Sequence, residues 1–373
     1  MTVHGTTTDR YAGVHAAFAG NLATGADTGA AFCATVDGET VADLWGGFAD
    51  EAGTRPWHRD TIVNVYSVTK TVVALTALLV ADRGDLDFAA PVARYWPEFA
   101  AAGKADVTVA QLMSHSSGLA GWRAPITRDD LYDWAKVTAL LAAQEPFWKP
   151  GTASGYHAMT QGYLIGEVIR RITGRSLGTV FRDELATPLG ADFHIGLPAT
   201  EDHRVADLIP PAEPPFDPAT ATALQHNVAT NPELDVADTR SRAWRGAEIP
   251  ACGGTGNARA VAEILAVLAN DGASGNRQLL SPAGCRKVLE PQTDGRDLVL
   301  GMQIRFGLGF ALGGGLMPNP NTVYWGGYGG SFALVDLDAR TTLAYTMNRM
   351  SGGVSGDLRA IALAMAFWDT PTG

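Results

Sequence analysis

Ser67-Val68-Thr69-Lys70, set just ahead of the apolar run Val72-Val73-Ala74-Leu75, decides how this chain is read. If that run is helical, residues three apart share a face, and the Lys70 amine lies one turn above the Ser67 hydroxyl. An amine beside a hydroxyl can take its proton and turn an inert alcohol into a nucleophile. With five lysines and twelve serines in the chain, random placement yields roughly 0.2 such pairs, so the spacing is informative but needs partners elsewhere.

The bulk properties bound those partners. A chain of 373 residues fits one large two-lobed domain or two domains. The net charge is −11 and the isoelectric point near 5.1. A surface that tracks phosphates needs a basic stripe, and none is found, so nucleic acid is excluded as a partner. The same acidity argues against adhesion to anionic membranes. The start, Met1-Thr2-Val3-His4-Gly5, lacks the basic-then-apolar pattern of a signal sequence, and the longest apolar run, Val72 to Ala81, is too short to span a bilayer. Cys33, Cys252 and Cys285 are scattered, odd in number and without metal-type or C-x-x-C spacing. They read as buried free thiols in a reducing compartment, and a cytoplasmic protein is expected.

Along the chain, strand signals sit at both ends and helices fill the middle. Tyr11, Val14, Phe18 and Leu22 recur at helical spacing. Ala30 to Val36 and Thr40 to Trp45 form a hairpin through Asp37-Gly38. Thr61 to Val65 leads as an extended segment into Ser67, and the helix after it stops near Gly84. Thr108 with Gln111 makes a capping box for a short helix ending around His115. The helix bearing Tyr163 to Ile172 closes at Gly174; Ser176 caps the next, which is stopped at Pro188. A proline-dense loop lies between Leu208 and Pro218, Asn257 opens a helix, and Ser281-Pro282 starts another. Gly307 to Leu312, Thr322 to Trp325, Phe332 to Leu337 and Thr341 to Met347 are strand candidates, and a last helix runs from about Ser355 to Trp368. Strands from both ends are expected to share one antiparallel sheet, covered by terminal helices, with a helical lobe inserted between.

A serine nucleophile needs a base, an oxyanion hole and a pocket. The chain has no G-x-S-x-G elbow, no H-E-x-x-H and no phosphate-cradling G-x-x-x-x-G-K-[ST]. Tyr156 stands at the end of a Gly/Ser-rich loop after Pro150-Gly151-Thr152; a phenol whose pKa is lowered by a neighbouring Lys70 ammonium could act as general base. By composition alone a packed aromatic with a satisfied hydroxyl is the favoured reading. Trp325-Gly326-Gly327-Tyr328-Gly329-Gly330-Ser331, next to strand-like sequence, calls for a bulge or a close backbone approach, with N–H groups free to meet an oxyanion. His115, in Leu112-Met113-Ser114-His115-Ser116-Ser117-Gly118-Leu119, and His157 are read as structural.

In this order, these pieces resemble the serine β-lactamase and penicillin-binding protein superfamily, and within it the family VIII carboxylesterases and class C β-lactamase-like hydrolases. Ser67-Val68-Thr69-Lys70 matches S-x-x-K, Leu112 to Leu119 matches L-x-x-H-x-S-G-L, and Pro150-Gly151-Thr152 with Tyr156 matches P-G-x…Y. Trp325-Gly326-Gly327 stands where K-T-G or H-x-G stands in relatives. The likeness spans roughly residues 10 to 370. It implies an α/β (α+β type) fold of the serine β-lactamase/DD-peptidase kind: an antiparallel sheet lobe from residues 1–85 and 257–373, a helical lobe from 86–256, and the active site in the cleft between them. It implies Ser67 as the acylated nucleophile, Lys70 and Tyr156 sharing base duty with Tyr156 taking the Ser67 proton, the backbone N–H groups of Ser67 and Tyr328 as oxyanion hole, and Trp325, Gly326 and Gly327 against the substrate.

Two departures steer the substrate. Where β-lactamases have Y-x-N this chain has Tyr156-His157-Ala158, and Ala158 has no side-chain amide for a lactam. Trp325 replaces the lysine of K-T-G, removing a cation suited to a drug carboxylate and supplying an apolar wall. Both changes favour a neutral ester over an anionic lactam. The expectation is a serine carboxylesterase for small, mostly short-acyl esters, needing no cofactor and no metal, with a small-molecule ester as its partner. A β-lactamase or D-amino peptidase using the same serine, an acyltransferase, and a non-catalytic binding relative stay open as alternatives.

Overall fold

The computed structural model describes residues 1–212, 219–315, 317–353 and 357–369. Its centre is a nine-stranded sheet, antiparallel throughout, in the spatial order Val3–Thr7, Glu39–Gly47, Gly29–Val36, Thr341–Met347, Phe332–Asp336, Thr322–Gly326, Ala311–Leu312, Gln303–Phe306 and Thr293–Arg296. The two chain ends meet in the middle, where Phe32 faces Tyr345 and Ala34 faces Leu343. The amino-terminal hairpin turns at Asp37 and Gly38, both at positive φ; this is the turn that matches strand twist.

Successive strand residues point to opposite faces, so both faces of the central strands need cover. On one side Thr342 donates to Ala262 O in the helix Ala258–Ala269. On the other, the Tyr345 hydroxyl reaches Asp27, which also pairs with Arg359 of the helix Leu358–Trp368. That last helix packs on the first, Ala12–Ala23, with Tyr11 stacked on Phe367 at 4.5 Å between ring centroids. The first helix buries the Val14, Phe18 and Leu22 stripe expected from its spacing. The last helix begins at Leu358 with Asp357 as cap; Ser355, where its start was expected, lies outside the described residues.

The described residues between Leu86 and Asn257 give no strand to this sheet. They supply the helices Val109–Met113, Trp134–Ala143, Thr160–Thr173, Leu177–Phe181, Ala223–Thr230 and Arg242–Gly246, together with Phe193–His194 of a small three-stranded sheet completed by Val63–Asn64 and Thr255–Gly256. The Thr108–Gln111 capping box is formed, and Gly174 closes its helix at positive φ. The expected proline-dense loop falls in part outside the described residues.

The structure corrects two element readings and adds two strands that were not anticipated. Of the candidate strand Gly307 to Leu312 only Ala311–Leu312 is strand; residues 307–310 bend between it and Gln303–Phe306. Gly309 has φ +84°, and a Cβ there would run into Ala74, so the chain bends against the central helix instead of extending. Pro188 does not stop its helix. A wide π-type turn, Arg182–Ala186, precedes a short helical end that runs through it to Gly190 at positive φ. Val3–Thr7 and Thr293–Arg296 are strands although neither carries a strong strand pattern; both are edges, where pairing with one neighbour decides the structure.

The helix Thr69–Asp82 is buried from Thr69 to Ala81. A helix enclosed on all sides presents its first turn in a fixed place; that turn carries Lys70, and Ser67 stands two residues before it.

Candidate active site

Ser67 sits in a single 3-10 turn, Tyr66–Val68, that leads into the central helix. Tyr66 has φ +43°, a left-handed conformation uncommon for an aromatic residue and a mark of local strain. It is held there by Asn64, whose Oδ1 accepts the Tyr66 amide at 3.1 Å and whose Nδ2 donates to Cys252 O. Among the described residues no acceptor is found for the Ser67 amide, which leaves the turn with a free N–H beside the hydroxyl.

Lys70 is 2% exposed. Its Nζ lies 3.1 Å from Ser67 Oγ, 2.8 Å from Ala158 O and 2.9 Å from Ala251 O. Among the described residues it has no carboxylate partner in an ion pair. Burial therefore pulls its pKa down from 10.5 to about 7, with a small opposing pull from Cys252. A neutral amine has two N–H donors and one lone pair. The two carbonyls accept from Nζ, and the Ser67 hydroxyl can either accept a third N–H from the ammonium or donate to the lone pair of the neutral amine.

Tyr156 donates its hydroxyl to Ser67 Oγ at 2.6 Å and accepts from Trp325 Nε1 at 3.2 Å. Burial raises the phenol pKa well above 10, and the hydrogen bonds to Ser67 and Trp325 offset only part of that rise. This reverses the expectation of a phenol acidified by a Lys70 ammonium. Both groups are out of water, each is pushed toward its neutral form, and Lys70 is the one left able to accept a proton near neutral pH. The amine also lies 4.8 Å from the Tyr156 ring centroid.

The glycine-rich end of Thr322–Gly326 completes the arrangement. Gly327 packs so closely on Val65 O, two residues before Ser67, that a Cβ could not be accommodated. The Gly327 amide donates to Ser331 O at 2.7 Å, and Tyr328 packs edge-on to Tyr66 at 5.4 Å. Among the described residues the Tyr328 amide, like that of Ser67, finds no acceptor. Trp325, expected as an apolar wall, is 1% exposed and adds a hydrogen-bond donor to the Tyr156 oxygen.

Several contributors were not legible as site residues. Ala158 lacks the expected amide but contributes its carbonyl, and Ala251 does the same from a distant loop. His115 and His157, 42 residues apart, meet with ring centroids 5.5 Å apart. His157 Nδ1 faces Gly155 O at 2.6 Å and its Nε2 faces Ser117 Oγ at 2.8 Å, while burial takes its pKa down to about 3. Asp297 accepts the Tyr156 amide at 3.0 Å. Of the aromatics between the motifs, Trp122 is buried and donates to Val137 O, whereas Trp148 packs on the small apolar cluster around Tyr156, Phe306 and Trp325. The three cysteines are unpaired and buried. Among the described residues no group of three or more histidine, cysteine, aspartate or glutamate side chains is placed to hold a metal ion, and no helix is long and apolar enough to cross a membrane.

A serine, a buried lysine and a tyrosine converge within hydrogen-bonding distance, and comparison with known proteins gives this constellation its lineage. The family model described as Beta-lactamase matches residues 14–366. The chain belongs to the beta-lactamase family. Among curated proteins it is 35% identical over 366 residues to the esterase/beta-lactamase LipL of Mycobacterium tuberculosis, covering 93% of this chain and 83% of that protein. Among solved structures, a family VIII carboxylesterase superposes with a TM-score of 0.95 at 42% identity, covering all of both chains. A penicillin-binding protein homologue from Caulobacter crescentus superposes with a TM-score of 0.92 at 37% identity, again over both chains. The fold is therefore the serine β-lactamase-like one expected from the motifs, an antiparallel sheet flanked by helices.

Proposed function

We propose that this protein is a serine carboxylesterase that hydrolyses small, mostly short-acyl esters through a covalent acyl-enzyme on Ser67. One observation carries the proposal: a buried Lys70, without a carboxylate partner among the described residues, lies 3.1 Å from a serine that also receives the Tyr156 hydroxyl. The esterase-named relative and the carboxylesterase structure support ester hydrolysis as the reaction.

In acylation, Lys70 takes the Ser67 proton as Oγ attacks the ester carbonyl. The carbonyl oxygen becomes an oxyanion between the Ser67 and Tyr328 amides. The tetrahedral intermediate collapses, the C–O bond to the alcohol breaks, and the proton held by the Lys70–Tyr156 pair leaves with the alcohol. Tyr156, a weak acid by virtue of burial, relays that proton and does not hold the charge. In deacylation a water gives its proton to the same pair and attacks the acyl carbonyl. Ser67 Oγ then recovers the proton as the acid departs. Trp325, Gly326 and Gly327 bound the substrate beside Ser67.

The side chain at position 158 is a methyl group and its carbonyl is committed to Lys70, so a lactam side-chain amide finds no donor or acceptor there. Trp325 offers no cation to a lactam carboxylate. These features favour neutral esters. The site lies between the sheet lobe, 1–85 with 257–373, and the helical lobe, 86–256; reach from Lys70 to Ala158 and Ala251 supports that division. The partner is a small ester, with no role for nucleic acid or membrane, and three unpaired thiols support a cytoplasmic location. The test compares kcat/KM for p-nitrophenyl acetate and butyrate with that for nitrocefin. Ester efficiency is expected to dominate; a much higher efficiency on nitrocefin would make the protein a β-lactamase.

A further inference from the structure

The three amides around the phenol all end on just two residues. Gly155 N donates to His115 O at 2.9 Å, Tyr156 N to Asp297 Oδ1 at 3.0 Å, and His157 N to His115 Nδ1 at 3.1 Å. His115 thus grips the chain on both sides of Tyr156 with its backbone and its ring at once. It can do so because its φ is +60°, a conformation costly for a residue with a Cβ. The same ring stands edge-on to Tyr156 and to Phe306, each at 4.8 Å. Burial, reinforced by His157 and Lys70, holds the His115 pKa well below 6.5, which keeps Nδ1 free to accept.

Asp297 grips from the opposite side. It is fully buried, and its Oδ1 accepts three amides, those of Tyr156, Val299 and Leu300, at 3.0, 2.9 and 2.9 Å. Its Oδ2 is buried without a hydrogen-bond partner among the described residues. A carboxylate committed in this way to backbone of its own turn and to Tyr156 fixes the distance between the two segments. Strain at one residue and an unpaired oxygen at the other are costs that packing alone does not require.

We infer that His115 and Asp297 are positioning residues that hold the Tyr156 hydroxyl on Ser67, a role that rests on the proton-relay reading of Tyr156. Misplacing a reacting group by an ångström costs about 100-fold in rate. His115→Ala is therefore expected to lower kcat on p-nitrophenyl acetate by about 10–100-fold with KM little changed. His115→Asn is expected to recover most of the rate, because asparagine offers Oδ1 in place of Nδ1 and tolerates positive φ. Asp297→Ala is expected to fall as His115→Ala does.

The deciding measurement places His115→Ala in a Tyr156→Phe background. Tyr156→Phe alone is expected to lose about 100- to 10,000-fold, and the double variant to be no slower than that. A double variant that falls below Tyr156→Phe by the same factor as His115→Ala falls below wild type would show a general structural role and overturn the inference. Near-normal kcat in a folded His115→Ala would do so as well. Near-normal kcat in Tyr156→Phe would overturn the relay itself, and with it the purpose assigned to the clamp. Should His115→Ala not fold, Asp297→Asn, which keeps the shape and removes the charge, runs through the same cycle.

Discussion

Acid should switch this enzyme off by protonating Lys70. The amine lies 3.1 Å from Ser67 Oγ with a pKa brought down to about 7 by burial. Only the neutral amine accepts the Ser67 proton, so kcat/KM should follow the neutral fraction. That fraction is about one half at pH 7, about a tenth at pH 6 and about a hundredth at pH 5. Above the pKa the rate should level off, because burial keeps the Tyr156 hydroxyl protonated. The assay is kcat/KM for p-nitrophenyl acetate from about pH 5 to 9 in buffers of constant ionic strength, with a check that the fold persists at each pH. A profile that is flat down to about pH 5, with the protein folded, would refute Lys70 as the proton acceptor.

The same shift carries a stability signature of definite sign. Lys70 titrates near 7 when folded, against 10.5 for an unperturbed lysine, so between those values the unfolded state binds more protons. Stability therefore rises with pH through that window, and the penalty for burying the group is fully present below it. A shift of that size is worth about 5 kcal/mol at most, as an order of magnitude. Comparing wild type with Lys70→Met isolates the contribution: the stability difference should move in favour of wild type by several kcal/mol as pH climbs from about 7 to 10.5. A difference that is constant with pH would place the folded pKa close to its ordinary value.

Two further variants probe the surroundings. Trp325→Phe removes the N–H that donates to Tyr156 at 3.2 Å while keeping an aromatic wall, and is expected to lower kcat by about 3–10-fold; one hydrogen bond to a neutral group is worth about 1 kcal/mol. Arg359 pairs with Asp27 at 2.8 Å and Asp357 at 2.6 Å and donates to Gly329 O at 3.0 Å, behind the glycine-rich turn. Arg359→Ala leaves two buried carboxylates uncompensated and is expected to cost about 3–5 kcal/mol by chemical denaturation, since removing one member of a buried ion cluster strands the others.

The parts of the site that were legible in sequence are those with short-range chemistry. Ser67 and Lys70 are one helical turn apart and Trp325-Gly326-Gly327 is a locally unusual segment, whereas Tyr156 was favoured as a site residue only through the family resemblance; the structure brings all of them together. The hairpin through Asp37-Gly38, the Thr108 capping box and the helix closed by Gly174 were readable for the same reason: the residues that end or begin the element are adjacent in the chain. What sequence could not give is what depends on tertiary reach. Ala158 and Ala251 act through carbonyls, which every residue has. Asp297 lies in an edge segment, and only its burial against the Tyr156 amide marks it out. The direction of the pKa shifts at Lys70 and Tyr156 is hidden from sequence because desolvation outweighs charge proximity there, and the depth of burial is a property of the fold. The break at Gly309 is hidden likewise: the strand pattern of Gly307 to Leu312 is good, but Gly309 takes φ +84° beside Ala74, a close approach only the fold reveals.

The most direct test of the acyl-enzyme is to trap it. Wild-type protein turning over p-nitrophenyl butyrate is quenched in acid, digested and analysed by mass spectrometry, beside Ser67→Ala treated identically. The account predicts a single butyryl group on the peptide containing Ser67, no adduct in the variant, and loss of ester hydrolysis in the variant down to background. A Ser67→Ala protein that hydrolyses the ester at the wild-type rate, or a butyryl group carried on another residue, would contradict it.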